Sequence, residues 1–319
     1  MFTRIAFGCL TSLTCLTSTF AAKFPTQTTY TYKKVGSLEI KADVHHYNDN
    51  QTRPVVVWLH GGALINGHRA GISGVVRNFA LSNNCILVSY DYRLAPESKL
   101  PAIIQDVEDA FKWLRRDGPR LFHANPERIA VTGGSAGGYL TLITGHRVKP
   151  RPQVLLAFWG YGDLVGEWYS KPSPHPRHNR MKIARKNAFA QVNGPAVSDA
   201  RKRQGNGGLF YVYCRQTGQW PKLVSGWDPI AETARFDPFM PVKNVTANYP
   251  PTVLVHGSKD TDVPHEQSVM MAREFKKHGV AHEFHSIANG EHGLAGADRA
   301  QVNAAYEQGL AFVKQHLLD

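Results

Sequence analysis

Cysteine is scarce in this chain of 319 residues: there are four, at positions 9, 15, 85 and 214. Cys9 and Cys15 sit in an apolar leader, which leaves at most one disulfide and excludes a disulfide scaffold. Cys85 falls in a predicted buried strand, where a free thiol fits best. Charged residues are also few, 19% against 42% hydrophobic, a balance that excludes wholesale disorder. No apolar run reaches the ~18 residues that cross a bilayer. Internal repeats and low-complexity tracts are absent. Acidic residues number 25 against 37 Lys and Arg, a formal charge of +12. That excess raises nucleic acid, an anionic membrane or an acidic polymer as partners. No zinc finger or RNA-recognition signature accompanies it. Many of the cations fall between His146 and Lys222, which reads as a solvated basic surface.

The amino terminus reads as a secretory signal over residues 1–22. Arg4 gives a positive start, Ile5 to Leu16 a modest apolar stretch, and Thr19-Phe20-Ala21 small residues around a cleavage point. The mature chain is expected to begin near Ala22 or Lys23 and to be secreted. Asn50-Gln51-Thr52 and Asn244-Val245-Thr246 are glycosylation sequons, meaningful only in a eukaryotic host.

Hydrophobic patterning predicts an α/β fold. Leu38, Ile40, Ala42 and Val44 alternate with polar residues, as in a half-buried strand, and Thr29 to Lys34 can pair with it as a hairpin. Later strands are continuous apolar runs: Val55 to Leu59, Cys85 to Val88, Ile129 to Val131, Val154 to Phe158 and Val253 to Val255. Strands buried on both faces of a parallel sheet read this way. Helical periodicity marks Pro101 to Arg116, Glu266 to Lys277 closed by Gly279, and Asp298 to Leu318. The expected architecture is one domain over residues 23–319, with a mostly parallel sheet and helices on both faces. Residues 165–250 or so break the rhythm. They are read as an insertion over the carboxyl edge of the sheet, where ligands bind in open α/β folds.

The strongest chemical signal is Gly133-Gly134-Ser135-Ala136-Gly137, a G-x-S-x-G motif between a strand and a helix, Tyr139 to Thr144. That context makes Ser135 the nucleophile at a tight elbow. A serine hydroxyl needs a base. His292 supplies one, in a loop after the predicted strand Glu283 to Ile287, whereas His285 lies within that strand and His256 ends another. Asp260 follows Val253 to Val255 and is expected to orient the imidazole, with Asp262 as competitor. The order Ser, Asp, His is that of α/β hydrolases. Leu59-His60-Gly61-Gly62-Ala63 also ends a strand. Its backbone N–H groups at Gly62 and Ala63, with that of Ala136, are the expected oxyanion donors. Trp159 and Tyr161 end a strand beside the site and are candidate substrate contacts. Trp168, Tyr169, Tyr211, Tyr213, Trp220 and Trp227 either line a pocket or form the insertion's own core.

On these residues the chain resembles the α/β-hydrolase fold-3 family, near the hormone-sensitive-lipase type esterases. Asp91-Tyr92-Arg93-Leu94-Ala95-Pro96-Glu97 matches that group's DYRLAPE segment, which the resemblance implies is structural. HGGA in place of HGGG looks more like small secreted feruloyl and acetylxylan esterases. The elbow and His256-Gly257-Ser258-Lys259-Asp260-Thr261-Asp262-Val263-Pro264 also resemble prolyl-oligopeptidase catalytic domains. Only about 30 residues precede the first strands, so no gating propeller is expected, which favours an esterase reading. The resemblance implies a carboxylesterase acting on short-chain or carbohydrate-linked acyl esters through an acyl-enzyme on Ser135, with no metal or organic cofactor. A serine peptidase or amide hydrolase, and a non-catalytic binding protein of the same fold, are the alternatives.

Overall fold

The continuous apolar runs become strands that serve two cores at once. In β3 (Arg53–Leu59), Val55, Val57 and Leu59 enter one hydrophobic cluster, while Val56 and Trp58 enter another on the opposite face. The same alternation divides β4 (Ile86–Tyr90) and β6 (Val154–Phe158). Successive side chains point to opposite faces, so a strand covered on both sides is apolar at nearly every position; Ser89 of β4 is buried with its hydroxyl donating to Arg69 O.

The structure, a computed structural model, describes residues 26–319. The leader expected over residues 1–22, with Cys9 and Cys15, lies outside the described residues. The remaining strands are β1 (Thr26–Val35), β2 (Leu38–His46), β5 (Ala124–Gly134), β7 (Thr252–Gly257) and β8 (His282–Ile287). They form one eight-stranded sheet in the order β1-β2-β4-β3-β5-β6-β7-β8. β2 runs antiparallel to both β1 and β4, and every later pairing is parallel.

One face carries α2 (Leu100–Phe122), α3 (Ala136–Arg147) and α9 (Glu266–Lys277). The other carries α1 (Gly74–Ser82) and α10 (Arg299–Leu318). Asp298 caps α10 by accepting from Gln301 N. Two elements exceed the expected spans most. α2 runs a turn and a half past Arg116, through Pro119, because Phe122 is buried against Trp113 and Tyr30, each at 5.8 Å between ring centroids. β5 begins at Ala124, paired with Arg53 across a register shift, although Asn125-Pro126-Glu127 gives no strand signal.

Between β6 and β7 lie five short α-helices, with 3-10 turns among them: α4 (Glu167–Ser170), α5 (Pro176–Asn179), α6 (Arg185–Ala190), α7 (Gly208–Thr217) and α8 (Trp220–Ser225). We call this segment the cap. Stacked aromatics hold it together: Trp168 on Tyr169 at 3.5 Å and Tyr169 on Trp220 at 4.0 Å. Cys85 and Cys214 are both free and buried, and burial pushes the Cys85 thiol up to about 12. Asn244 spends both amide hydrogens on Asp237 O and Met240 O, whereas Asn50 is exposed. No helix among the described residues is long and apolar enough to cross a membrane.

Candidate active site

The turn from β5 into α3 forces Ser135 to φ 57° and ψ −123°, a strained conformation for a side chain with a Cβ. The turn is made by close approach of backbones. A Cβ on Gly137 would collide with Leu59 O at the end of β3. Ser135 donates its own N–H to Phe158 O at 2.9 Å. Ala136 opens α3, so its N–H is among those of the first turn that have no intrahelical acceptor.

His292 lies in the loop after β8. Its Nε2 is 3.1 Å from Ser135 Oγ and its Nδ1 is 2.7 Å from Asp260 Oδ2. A carboxylate beside Nδ1 keeps the proton there, which leaves Nε2 to accept from the serine hydroxyl. Asp260 is itself fixed: its Oδ1 accepts the N–H groups of Asp262 at 2.8 Å and Val263 at 2.9 Å. Burial pushes its carboxyl up, but the hydrogen bonds and charges of His256 and His292 outweigh burial and hold it at about 2. His256 is fully buried and bonds Ser268 Oγ at 2.7 Å and Val263 O at 3.0 Å, so it braces the Asp260 loop. His285 pairs with Glu283 at 2.9 Å. Of the 15 histidines, His292 is the one placed against Ser135.

The HGGA loop lies against the elbow. A Cβ built on Gly61 would stand 2.8 Å from Gly134 O and 3.3 Å from Ser135 Cβ. Gly62 has φ 111°, a region that favours glycine, and Ala63 has φ 54°. The alanine therefore occupies left-handed backbone, at a cost of about 1 kcal/mol relative to glycine. The turn is closed by Ile65 N and Asn66 N, both donating to Gly62 O, at 2.8 and 2.7 Å.

Several residues that hold this loop are not individually marked in the sequence. Tyr92 donates to His60 O at 2.7 Å and stacks on the His60 ring at 4.2 Å. Ala95 N–H donates to Leu64 O at 2.8 Å. The DYRLAPE segment thus supports the loop, and its Arg93 pairs with buried Asp106 through two 2.7 Å bonds. From the cap, the Trp220 indole donates to Ala63 O at 3.0 Å. Cap residue Arg203 grips Glu97, Ile65 O and Ala95 O with one guanidinium.

The two aromatic candidates separate. Trp159 is half-buried, with its ring edge-on to His292 at 6.3 Å, beside the reacting groups. Tyr161 is fully buried, stacked on Tyr139 at 4.9 Å and packed edge-on against Trp168, Tyr169 and Trp220. It belongs to the aromatic core that joins the cap to the sheet, so it is not exposed to a substrate. Asp262 does not orient His292 through Nδ1. Nor does it cap α9, because its Oδ1 is engaged by His178, Tyr211 and Arg215 of the cap.

Chemically, the site brings together a hydroxyl, an imidazole with a carboxylate at its far nitrogen, and loop N–H groups in a small space, a set able to act as nucleophile, base and orienting acid. Three known proteins are similar to the chain. A non-reducing polyketide synthase, adrD, of Penicillium rubens is 25% identical over 91% of this chain, which spans only 14% of that synthase's length. Esterase LipI of Mycobacterium tuberculosis is 40% identical over 101 residues, 32% of this chain and 31% of its own. An acetyl ester-xyloside bifunctional hydrolase from Caldicellulosiruptor lactoaceticus has a solved structure with TM-score 0.63. It is 21% identical, with 88% of this chain and 89% of that chain covered. The family model described as alpha/beta hydrolase fold matches residues 56–296, and on that match the chain belongs to the α/β-hydrolase fold-3 family.

Proposed function

We propose that the protein is a serine carboxylesterase that hydrolyses short-chain or carbohydrate-linked acyl esters. The observation that carries this reading is the run of contacts Asp260–His292–Ser135, at 2.7 and 3.1 Å, on a strained elbow. Ser135 Oγ bonds to the acyl carbon while its proton passes to His292 Nε2, and the carbonyl electron pair moves to oxygen. Gly62, Ala63 and Ala136 N–H groups receive that oxyanion. Collapse breaks the ester C–O bond, and the leaving alkoxide takes the proton from Nε2. Water then repeats the sequence on the acyl-serine, releasing the acid and free Ser135.

Cap helices pack on the loops that carry Ala63 and Asp262, which supports a confined site and a preference for small acyl groups. Similarity of fold to a hydrolase named for acetyl ester and xyloside substrates supports acetylated carbohydrate as the natural class. The expected result is rapid turnover of acetyl and butyryl esters, slower turnover of octanoyl esters, and fluorophosphonate labelling at Ser135. Faster hydrolysis of long-chain emulsions, or of acyl-peptide amides, would overturn the assignment. We also propose export through the leader over residues 1–22. Amino-terminal sequencing of the protein from a secreting host should begin near Ala22 or Lys23, and a cell-retained product that starts at Met1 would refute it.

A further inference from the structure

A second carboxylate stands at the base. Asp262 Oδ2 lies 3.7 Å from His292 Nε2, the same nitrogen that faces Ser135 Oγ. The other oxygen is locked by the cap. Oδ1 accepts from Tyr211 OH at 2.5 Å, His178 Nε2 at 2.9 Å and Arg215 Nη1 at 3.1 Å. Arg215 Nη1 also reaches the Asp262 backbone oxygen at 2.8 Å. Arg215 and His178 are each 3% exposed, so these anchors are held in place by packing.

We infer that Asp262 is a positioning residue for the base: an anion fixed by the cap beside the nitrogen that receives the serine proton. The inference rests on the roles proposed above for Ser135 and His292. Its physical content is a difference between two states. With the ring neutral, the Asp262 charge gains little from it. When Nε2 takes the proton, a full positive charge appears 3.7 Å from Oδ2 and is stabilised where it forms. Asp260 acts on the opposite nitrogen, so the two aspartates divide the ring between them.

The carboxylate is suited to stay ionised. Burial pushes it up, but the His178 hydrogen bond and the charges of His292 and Arg215 hold it well below the usual carboxylate range. The other charges around the ring are accounted for. Glu291 Oε2 accepts the His292 N–H at 2.7 Å and is paired with Arg177 of α5 at 2.8 Å. His256 lies behind Asp260, 3.3 Å from its Oδ2. Arg215 and His178 lie behind Asp262. Trp159 contributes an uncharged ring edge.

The test is the pH profile of kcat/KM for acetyl ester hydrolysis in the full chain. A nearby anion favours the charged ring, so removing it lets the ring lose its proton at lower pH. Asp262→Asn should move the acid limb down by about half to one pH unit. It should also lower kcat about threefold to tenfold, with KM less affected. Asp262→Glu keeps the charge and should stay within about 0.3 pH unit of wild type. Tyr211→Phe removes one anchor without removing charge and should leave the acid limb in place. If Asp262→Asn fails to fold because Arg215 is left buried and unpaired, the double variant Asp262→Asn/Arg215→Gln removes both charges. Its acid limb should still move down, by less. An unmoved acid limb in a folded Asn or double variant, or a Glu variant that shifts as far as Asn, overturns the inference. These outcomes are read against Ser135→Ala. If wild-type turnover survives that change, the reaction scheme itself fails; if turnover needs Ser135 and the limb stays put, only the role of Asp262 fails.

Discussion

In the sheet, alternate residues of one strand feed two separate cores; in the cap, short helices converge on one cluster of stacked rings. The sheet is therefore held by apolar contact spread along whole strands. The cap is joined to the sheet by the aromatic core around Tyr161 and, at its edge, by a few polar links: Trp220 to Ala63, Arg203 to Glu97, Arg215 to Asp262 and Arg177 to Glu291. Each link ends on a loop that carries a site residue or lies next to one. The edge links can be removed one hydrogen bond at a time, whereas the aromatic core between cap and sheet is close-packed like the sheet's own cores, so that a change of volume there is felt by all its members. The proposed reaction draws on both, because the sheet places Ser135 and the cap packs on the loops around it.

The largest expected effect falls on the sheet side. Ser135→Ala should lower kcat for acetyl esters by roughly 10⁴-fold or more and abolish fluorophosphonate labelling. Circular dichroism should stay that of wild type. Residual turnover within tenfold of wild type would move the nucleophile elsewhere.

Ala63 lies where the two regions meet. Ala63→Pro removes one N–H and, because proline cannot take φ 54°, also forces the loop out of its turn, so it should cost at least about a hundred- to thousand-fold in kcat. Labelling of Ser135, slowed but detectable, would show that the elbow remains intact. A folded proline variant with near-normal kcat would mean that the oxyanion is held by other groups.

Acid should reveal the buried ring beneath the same loop. Burial pushes His60 down to about 4, while an unfolded histidine titrates near 6.5. The stability that the neutral ring contributes is therefore complete above about pH 6.5 and is lost as pH falls through 4, by about 3 kcal/mol. Urea midpoints measured at pH 7, 5.5 and 4 should fall accordingly. His60→Asn should flatten that slope, and an equally steep slope in the variant would refute the assignment.

Smaller effects belong to single links. Trp220→Phe keeps the aromatic stack but leaves Ala63 O without its donor. It should cost about 1–2 kcal/mol in thermal or urea unfolding, with a modest fall in kcat. Ala63→Gly relieves left-handed backbone and should raise stability by up to about 1 kcal/mol while turnover stays within about twofold. A destabilised glycine variant would show that the Ala63 methyl packs more than its backbone strains.

What the sequence disclosed follows the same division. Periodicity gave the sheet and the long helices because each strand repeats one simple rule over its whole length; α9 spans Glu266–Lys277 as read from pattern alone. The spacing of Ser135, Asp260 and His292 was legible because their motifs follow strands. The cap was legible only as a loss of rhythm, since helices of four to ten residues give too few turns for a periodic signal. Tyr161 looked like a pocket residue because it ends a strand beside the site. Its burial depends on Tyr139 and on Trp168, Tyr169 and Trp220 of the cap, contacts that no local pattern encodes. Asp262 looked like a rival of Asp260 or a helix cap. Its actual partners lie 47 to 84 residues away in sequence.

Arg203 has a practical bearing on engineering. One guanidinium joins the cap to Glu97, to Ile65 O and to Ala95 O, and both members of the Arg203–Glu97 pair are nearly buried. A chimaera cut at the two junctions of the cap would carry Arg203 and Trp220 away with it. Glu97 would then be left in the interior without a counter-charge, and Ala63 O without its indole. The cap is thus not an interchangeable lid: a graft from another member of the family has to be chosen together with positions 63–65 and 95–97, as one inherited unit.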